Sequence, residues 1–153
     1  AKYINPDIKF TSVMSGSWTD VAKGKEIGIS MISTNKADVI FSFASGVDAG
    51  VREACQSADN VYFIAQPSES HDTAPDITVT SIIQSNEALI YHAMETAANG
   101  TFKGGYYIAG FEDGGTCSLG VFGDFFDADK QAKVNDVINK IKSGEIDCDS
   151  YAK

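Results

Sequence analysis

Long apolar runs are missing from this sequence. No segment approaches the ~20 consecutive apolar residues that a membrane-spanning helix needs, although apolar residues make up 43% of the chain. The first residues also lack the pattern of a secretory signal and a cysteine that could accept a lipid. If the natural protein is exported, we expect that its targeting segment has been removed.

Positive charge and cysteine motifs are also scarce. The 12 basic residues are outnumbered by 21 acidic residues, which gives a net charge of -9. Nucleic acids and anionic membranes attract clusters of Lys and Arg, so we expect no nucleic-acid partner. The three cysteines form no CxxC pair and the two histidines are far apart, so the pattern predicts no metal site.

Catalytic motifs are missing as well. The chain contains no G-x-S-x-G turn, no Cys beside a His and no convincing pair of carboxylates. His71 and Asp72 are adjacent, but adjacency does not make a catalytic dyad, and we interpret both as solvated loop residues. We therefore predict no catalytic residue and no cofactor, and we interpret the protein as a non-enzyme.

The residues that are present predict an α/β fold. Strand-like and helix-like runs alternate, which is typical of right-handed crossovers and a mainly parallel sheet covered on both faces. The predicted strands are 9–14, 38–44, 61–65, 77–83, 106–111 and 117–122, and the predicted helices are 21–34, 51–58, 86–98 and 124–143. This order favours a three-layer αβα, Rossmann-like arrangement.

Local patterns predict helix starts and buried faces. Thr19 or Asp20 is expected to cap the first helix, Ser85 the third, and Asp124 or Asp127 the last. In the first helix we expect an apolar stripe to face the core, formed by Ala22, Ile29 and Ile32. The nearly unbroken apolar run in 38–44 predicts a strand that is buried on both faces.

The turns that follow the first four strands form the predicted site. Ligands of open α/β sheets bind outside the carboxyl ends of the strands. These turns contain Trp18, Ser45 and Gly46, Gln66 and Pro67, and Gln84. We therefore expect four turns that are distant in sequence to form the walls of one binding site.

Trp18 and the Ser45–Gly46 turn each have two interpretations. The large, rigid indole can stack on a flat ligand, or it can pack over the neighbouring helix and close the core. The backbone N–H groups of the Ser45–Gly46 turn can bind a ligand, or the glycine can simply permit tight packing. The residue pattern leaves both alternatives open.

A flavodoxin-like domain that carries FMN is one alternative function. Its phosphate loop needs a run of Ser and Thr donors, which residues 15–19 supply only in part. The turn 45–50 also lacks the G-x-G-x-x-G pattern of dinucleotide sites. A regulatory protein that uses the same fold without transporting anything is the other alternative.

Short segments along nearly the whole chain form a recognisable set, namely 5–8, 16–25, 37–41, 44–46, 50–51, 80–81, 100–105, 114–115 and 141–146. In their order and spacing, which are more specific than any single segment, they resemble the BMP (basic membrane protein) family of substrate-binding lipoproteins. This family includes purine nucleoside receptors of ABC transporters.

The resemblance implies a type I periplasmic-binding-protein fold, in which two α/β lobes clamp a ligand. It identifies the chain as the carboxyl-terminal lobe, with 1–123 as the ligand-binding lobe and 124–153 as a hinge-following helix and tail. The implied partners are a small nucleoside-like ligand, an ABC permease and a missing amino-terminal lobe. The implied location is extracellular or periplasmic, with the full-length protein anchored as a lipoprotein.

The resemblance also implies roles for individual residues. Trp18 falls where the family has an aromatic residue that stacks on the base, and Ser45–Gly46 falls in its Gly-rich turn. Pro67 stands where nucleoside receptors usually have an Asp, and Gln84 where they usually have a Lys. Gln66 and Gln84 are the expected polar contacts to a nucleoside or a similar small, flat, polar ligand.

Overall fold

The computed structural model describes residues 1–111 and 115–148. Helices and strands alternate along the chain, which confirms the predicted α/β class. The helices are α1 (Val21–Ser33), α2 (Val47–Gln56), α3 (Asn86–Ala98) and α4 (Ala128–Lys142), and the strands are β1 (Val39–Phe41), β2 (Tyr62–Ala65), β3 (Thr78–Gln84) and β4 (Cys117–Leu119). None of the helices in the described part is long and apolar enough to cross a membrane.

The strands form one four-stranded sheet in the order β1-β2-β3-β4. Its pairing is mostly parallel, as predicted. The exception is β4, which runs antiparallel to β3 and places Leu119 opposite Ile82 and Cys117 opposite Gln84. An antiparallel edge strand on an otherwise parallel sheet is common in α/β proteins.

The chain divides into two compact units, Ala1–Phe63 and Ile64–Lys153. Buried apolar side chains of the first unit come from β1, α2 and the start of β2, and they include Ile40, Val51, Cys55 and Phe63. In the second unit the most deeply buried side chains are polar, at Thr78 and Ser81 on β3. The predicted boundary after residue 123 stays a prediction.

Three of the predicted helix caps are present. The carboxylate of Asp20 accepts a hydrogen bond from the backbone N–H of Lys23 at 3.0 Å. Ser85 caps α3 and Asp127 caps α4 in the same way. The predicted start of the second helix is wrong, because α2 begins at Val47 rather than at residue 51.

Helices α1 and α2 pack together through glycine. A Cβ atom on Gly24 would lie 2.1 Å from the carbonyl oxygen of Val47, and one on Gly50 would lie 1.9 Å from that of Val21. A side chain at either position would overlap the backbone of the other helix. Glycine therefore sets how closely these two helices approach.

The prediction that an apolar stripe of α1 faces the core is wrong, because close packing against α2 buries the glycines of α1 instead. The buried positions of this helix are Gly24 and Gly28, whereas half of the Ile29 side chain is exposed. Close helix packing buries the residues with the smallest side chains rather than those with the most apolar surface.

Two predicted strands are absent. Residues 9–14 and 106–110 lie in the described part of the chain, yet both segments are irregular. Their apolar side chains are exposed, including Phe10, Met14 and Ile108. An alternating pattern shows which face a strand would bury, but a strand also needs a neighbour that completes its hydrogen-bond ladder. The sequence also predicts a hairpin-like turn at 112–115, and residues 112–114 of this turn lie outside the described residues.

The prediction that the strand in 38–44 is buried on both faces is also wrong. Ile40 is buried, whereas 46% of Val39 and 52% of Phe41 are exposed. Only one face of β1 is covered within the first unit. The strand leads directly into the turn that carries Ser45 and Gly46.

Candidate functional site

Trp18 lies on the irregular turn that precedes α1. The hydroxyl oxygen of Ser17 accepts hydrogen bonds from the backbone N–H groups of Thr19 and Asp20 at 3.2 and 3.1 Å. These contacts order the turn, yet 63% of Trp18 is exposed. An indole that closed the core would be largely buried, so this exposure favours the interpretation in which the ring is available to a ligand.

The Ser45–Gly46 turn lies directly beside the Trp18 turn. The backbone N–H of Gly46 donates to the carbonyl oxygen of Trp18 at 2.9 Å. A Cβ atom on Gly46 would lie 3.3 Å from the same oxygen, so the glycine permits a close approach of the two turns. The structure thus brings two of the predicted site segments together.

The contact also limits what the Ser45–Gly46 turn can offer a ligand. The N–H of Gly46 is occupied by Trp18, and that of Asp48 donates to the carbonyl oxygen of Ser45 at 3.0 Å. Ser45 itself is exposed and has a φ of 56°, in the left-handed region. Ser45 is therefore the better placed of the two residues to contact a ligand.

A second aromatic residue, Phe43, lies beside Trp18, and the sequence pattern did not reveal it. The ring of Phe43 lies 6.4 Å from the indole, centroid to centroid, at an interplanar angle of 88°. It is 60% exposed. The apolar pattern of 38–44 places Phe43 in a fully buried strand, which hides this residue as a candidate ligand contact.

A carboxylate on α2 holds the backbone around Phe43. Oδ1 of Asp48 accepts hydrogen bonds from the Ser42 hydroxyl at 2.5 Å and from the Ala44 backbone N–H at 2.8 Å. Phe43 lies between these two anchored residues. Asp48 is therefore a positioning residue for the turn that joins β1 to α2.

Gln66 and Gln84 belong to neighbouring segments of the second unit. The backbone N–H of Gln84 donates to the carbonyl oxygen of Pro67 at 2.8 Å, which joins the end of β3 to the turn after β2. Gln84 is exposed and Gln66 is half-buried. The structure therefore brings these two predicted polar residues to adjacent turns.

Glu69 is a further residue that the sequence pattern did not reveal. Its Oε1 accepts hydrogen bonds from the backbone N–H groups of Ser70 and His71 and from the Ser81 hydroxyl, each at 2.9 Å. Its Oε2 accepts one from the Val121 N–H at 2.7 Å. Desolvation opposes ionisation, but these hydrogen bonds together outweigh it and lower the pKa of Glu69 below its usual value.

The room for the Glu69 carboxylate is provided by Gly120. A Cβ atom on Gly120 would lie 2.0 Å from Oε2 of Glu69. Because protein donors surround the carboxylate, Glu69 positions the loop after β2 rather than binding a ligand itself. Ser81 and Val121 are 12 and 52 residues away in sequence, which is why no local pattern could identify the cluster.

The interpretation of His71 as a solvated loop residue is wrong. Only 15% of its side chain is exposed, and Nδ1 lies 3.5 Å from Oδ1 of the fully exposed Asp72. Among the residues that the structure describes, none hydrogen-bonds to its buried Nε2 atom. His71 packs in the loop that Glu69 holds, and Asp72 is the solvated member of the pair.

Metal-ligating side chains are not clustered in the described residues. Within 1–111 and 115–148, no group of three His, Cys, Asp or Glu side chains is arranged to hold a metal ion. Cys55 is completely buried, and burial raises the pKa of its thiol to about 11. This cysteine is a core residue.

Comparison with known sequences identifies several relatives. A family model described as ABC transporter substrate-binding protein PnrA-like (Bmp) matches residues 1–150. Basic membrane protein C of Borreliella burgdorferi is 31% identical over 146 residues, which cover 94% of this chain and 41% of that protein. The transcriptional activator protein med of Bacillus subtilis is 25% identical over 147 residues, covering 95% and 45%.

Solved structures share the fold. A transcriptional activator of the comK gene from Bacillus halodurans superposes with a TM-score of 0.76 at 24% identity, covering 91% of this chain and 48% of that chain. An ABC transporter solute-binding protein from Aeropyrum pernix gives 0.69 at 20% identity, covering 99% and 52%. The chain thus spans about half the length of these proteins.

Proposed function

Because the chain belongs to the Bmp family of PnrA-like ABC transporter substrate-binding proteins, we propose that it is a ligand-binding lobe of a receptor for an ABC importer. The observation that supports this most directly is the exposed Trp18 ring on a turn that hydrogen bonds hold in place. A receptor lobe of this kind binds and releases its ligand unchanged. It requires neither a catalytic base nor a metal.

The proposed ligand is a nucleoside or another small, flat, polar molecule. Trp18 offers a rigid aromatic plane, and an aromatic pair contributes about 0.5–1.5 kcal/mol beyond the area that it buries. Ser45, beside this ring, is the proposed hydroxyl contact of the first unit. Gln66 and Gln84 are proposed as polar contacts from their positions in the family pattern.

The remaining parts of the proposal concern the full-length protein. The chain covers 41% of basic membrane protein C, and in our proposal the rest of the receptor supplies the amino-terminal lobe. Closure of two lobes around a ligand is a general way to trap it. The receptor would work outside the cytoplasmic membrane, anchored as a lipoprotein, and would pass its ligand to an ABC permease.

Calorimetric titration of the full-length receptor with purine nucleosides tests the role of Trp18. We expect the Trp18→Ala variant to bind up to about tenfold more weakly, because loss of a ring contact of about 1.5 kcal/mol, the upper end of that range, corresponds to this factor. Tyr106→Ala is the matched control, since Tyr106 is a fully exposed aromatic residue outside the proposed site. Tight nucleoside binding that Trp18→Ala leaves unchanged would remove Trp18 from the site.

A regulatory protein is the second candidate. The similarity to the two transcriptional activators from Bacillus species supports it. A neighbouring gene pair encoding a permease and an ATPase would favour transport, and its absence would favour regulation. The FMN alternative has a separate test, since a flavodoxin-like protein would show a flavin absorption spectrum after purification.

A further inference from the structure

We propose that Phe43 is a specificity-determining residue, which together with Trp18 forms a right-angled aromatic corner that selects ligands bearing a planar aromatic ring. This inference rests on the proposed function, because it takes Trp18 to be a ligand contact. It adds a residue that the family pattern did not suggest and narrows the ligand class.

The geometry of the corner suits a flat ring. The two planes meet at 88°, with ring centroids 6.4 Å apart. A planar ring stacked on one of them is parallel to that ring and therefore perpendicular to the other. Aromatic rings prefer offset stacking and edge-to-face contact, so a ligand stacked on one ring is oriented for edge-to-face contact with the other. A sugar or an aliphatic chain has no aromatic ring, so it can contact the corner only through C–H groups and gains neither aromatic–aromatic interaction.

Hydrogen bonds order the turns that carry both rings. Asp48 anchors the residues on either side of Phe43, at 2.5 and 2.8 Å. Gly46 anchors the carbonyl group of Trp18 at 2.9 Å. Trp18 and Phe43 nevertheless stay 63% and 60% exposed. Backbone segments that are already ordered lose little conformational entropy when a ligand binds, which favours affinity.

The residues next to the corner favour a small polar ligand over an apolar protein surface. Ser17 precedes Trp18, and the exposed Ser45 follows Phe43 by two positions. Small-molecule sites combine aromatic walls with a few hydroxyl or backbone groups that fix orientation. A nucleobase-like ring with polar substituents fits this combination.

Fluorescence of the chain tests the proposal, because Trp18 is its only tryptophan. Adenosine and uridine are the aromatic probes, and ribose is the probe without an aromatic ring. We expect both nucleosides to quench Trp18 emission and ribose to leave it unchanged. In Phe43→Leu the nucleoside concentration for half-quenching should rise about two- to tenfold, the factor expected for one lost aromatic contact.

Two control substitutions test whether the effect is specific to the ring of Phe43. Phe102→Leu removes another Phe that is 61% exposed and should leave quenching unchanged, while Phe43→Tyr keeps a ring and should also behave as the wild type. If Phe43→Leu fails to fold, Phe43→Met provides the same test.

Equal half-quenching concentrations for Phe43→Leu and the wild type would overturn the role of Phe43 and leave the Trp18 proposal standing. Quenching by ribose as strong as that by the nucleosides would overturn the selectivity. No quenching of the wild-type chain by either nucleoside, together with unchanged nucleoside binding by Trp18→Ala in the full-length receptor, would overturn both the corner and the stacking role of Trp18.

Discussion

Single carboxylates organise the loops of this protein. Asp48 holds the turn around Phe43, and Glu69 holds the loop after β2 through four hydrogen bonds. A carboxylate has two acceptor oxygens and can therefore gather several N–H and O–H donors in a small space. Neither residue belongs to a recognisable sequence motif, because the donors come from other segments or from backbone groups.

Replacement of Glu69 by Gln should destabilise the loop. In either orientation, the amide NH2 group would face a backbone N–H donor of His71 or Val121. An unsatisfied donor of this kind typically lowers the free energy of unfolding by about 1–3 kcal/mol. Because Glu69 is partly exposed, we expect a loss at the lower end of this range. Urea unfolding measures the loss, and Glu95→Gln on the exposed side of α3 serves as the control. Equal unfolding midpoints for both variants would contradict the role of Glu69.

The same carboxylate makes stability depend on pH. Its pKa is lowered in the folded chain from the usual 4.5, so folding favours the ionised form. The stabilisation is present above pH 4.5 and is lost as the pH falls through the lower, folded value. Urea midpoints should therefore fall on acidification below about pH 4.5, and the fall should be smaller in Glu69→Gln. Parallel pH profiles for the two proteins would show that other groups dominate.

At the scale of elements, close contact between α1 and α2 depends on positions without side chains. Gly24, Gly28 and Gly50 leave space that Val47, Ala54 and Val21 then occupy. Helix propensity alone would favour alanine at all three glycines, by roughly 1 kcal/mol each. Packing therefore overrides propensity in this pair.

Gly50→Ala tests this packing. Its Cβ would lie 1.9 Å from the Val21 carbonyl oxygen and 2.6 Å from the Lys25 nitrogen, and backbone atoms cannot move aside cheaply. We expect the melting temperature to fall, with a loss of about 1–3 kcal/mol typical of overpacking. Gly104→Ala is the control, because a Cβ atom on Gly104 would have no neighbour within 4 Å among the described residues. A higher melting temperature for Gly50→Ala would show that propensity outweighs packing.

Helix ends were easier to predict than strands. Asp20, Ser85 and Asp127 cap helices as expected, because a cap depends on contacts within three residues of the same segment. Residues 9–14 and 106–110 have strand-like patterns but remain irregular. Whether these segments form strands depends on a partner strand beside them, which local composition does not encode.

At the scale of the whole molecule, the proposed function rests on the family match and on the fraction of its relatives that the chain covers. The chain matches the Bmp family over residues 1–150 and spans 41% of basic membrane protein C. Helix α3 has no buried residue, and Tyr91 and Met94 on it are 66% and 67% exposed. In our proposal, the amino-terminal lobe of the full-length receptor closes on the ligand together with this lobe.

The sequence by itself determined the α/β class, the helix caps, the family and Trp18 as a candidate contact. These features depend on neighbouring residues or on the order of short segments. Only the tertiary structure decided that Phe43 is exposed beside Trp18, that Gly46 joins the two turns, and that Glu69 collects donors up to 52 residues away. The reason is physical: exposure, ring orientation and hydrogen-bond partners depend on distances that the chain acquires only when it folds.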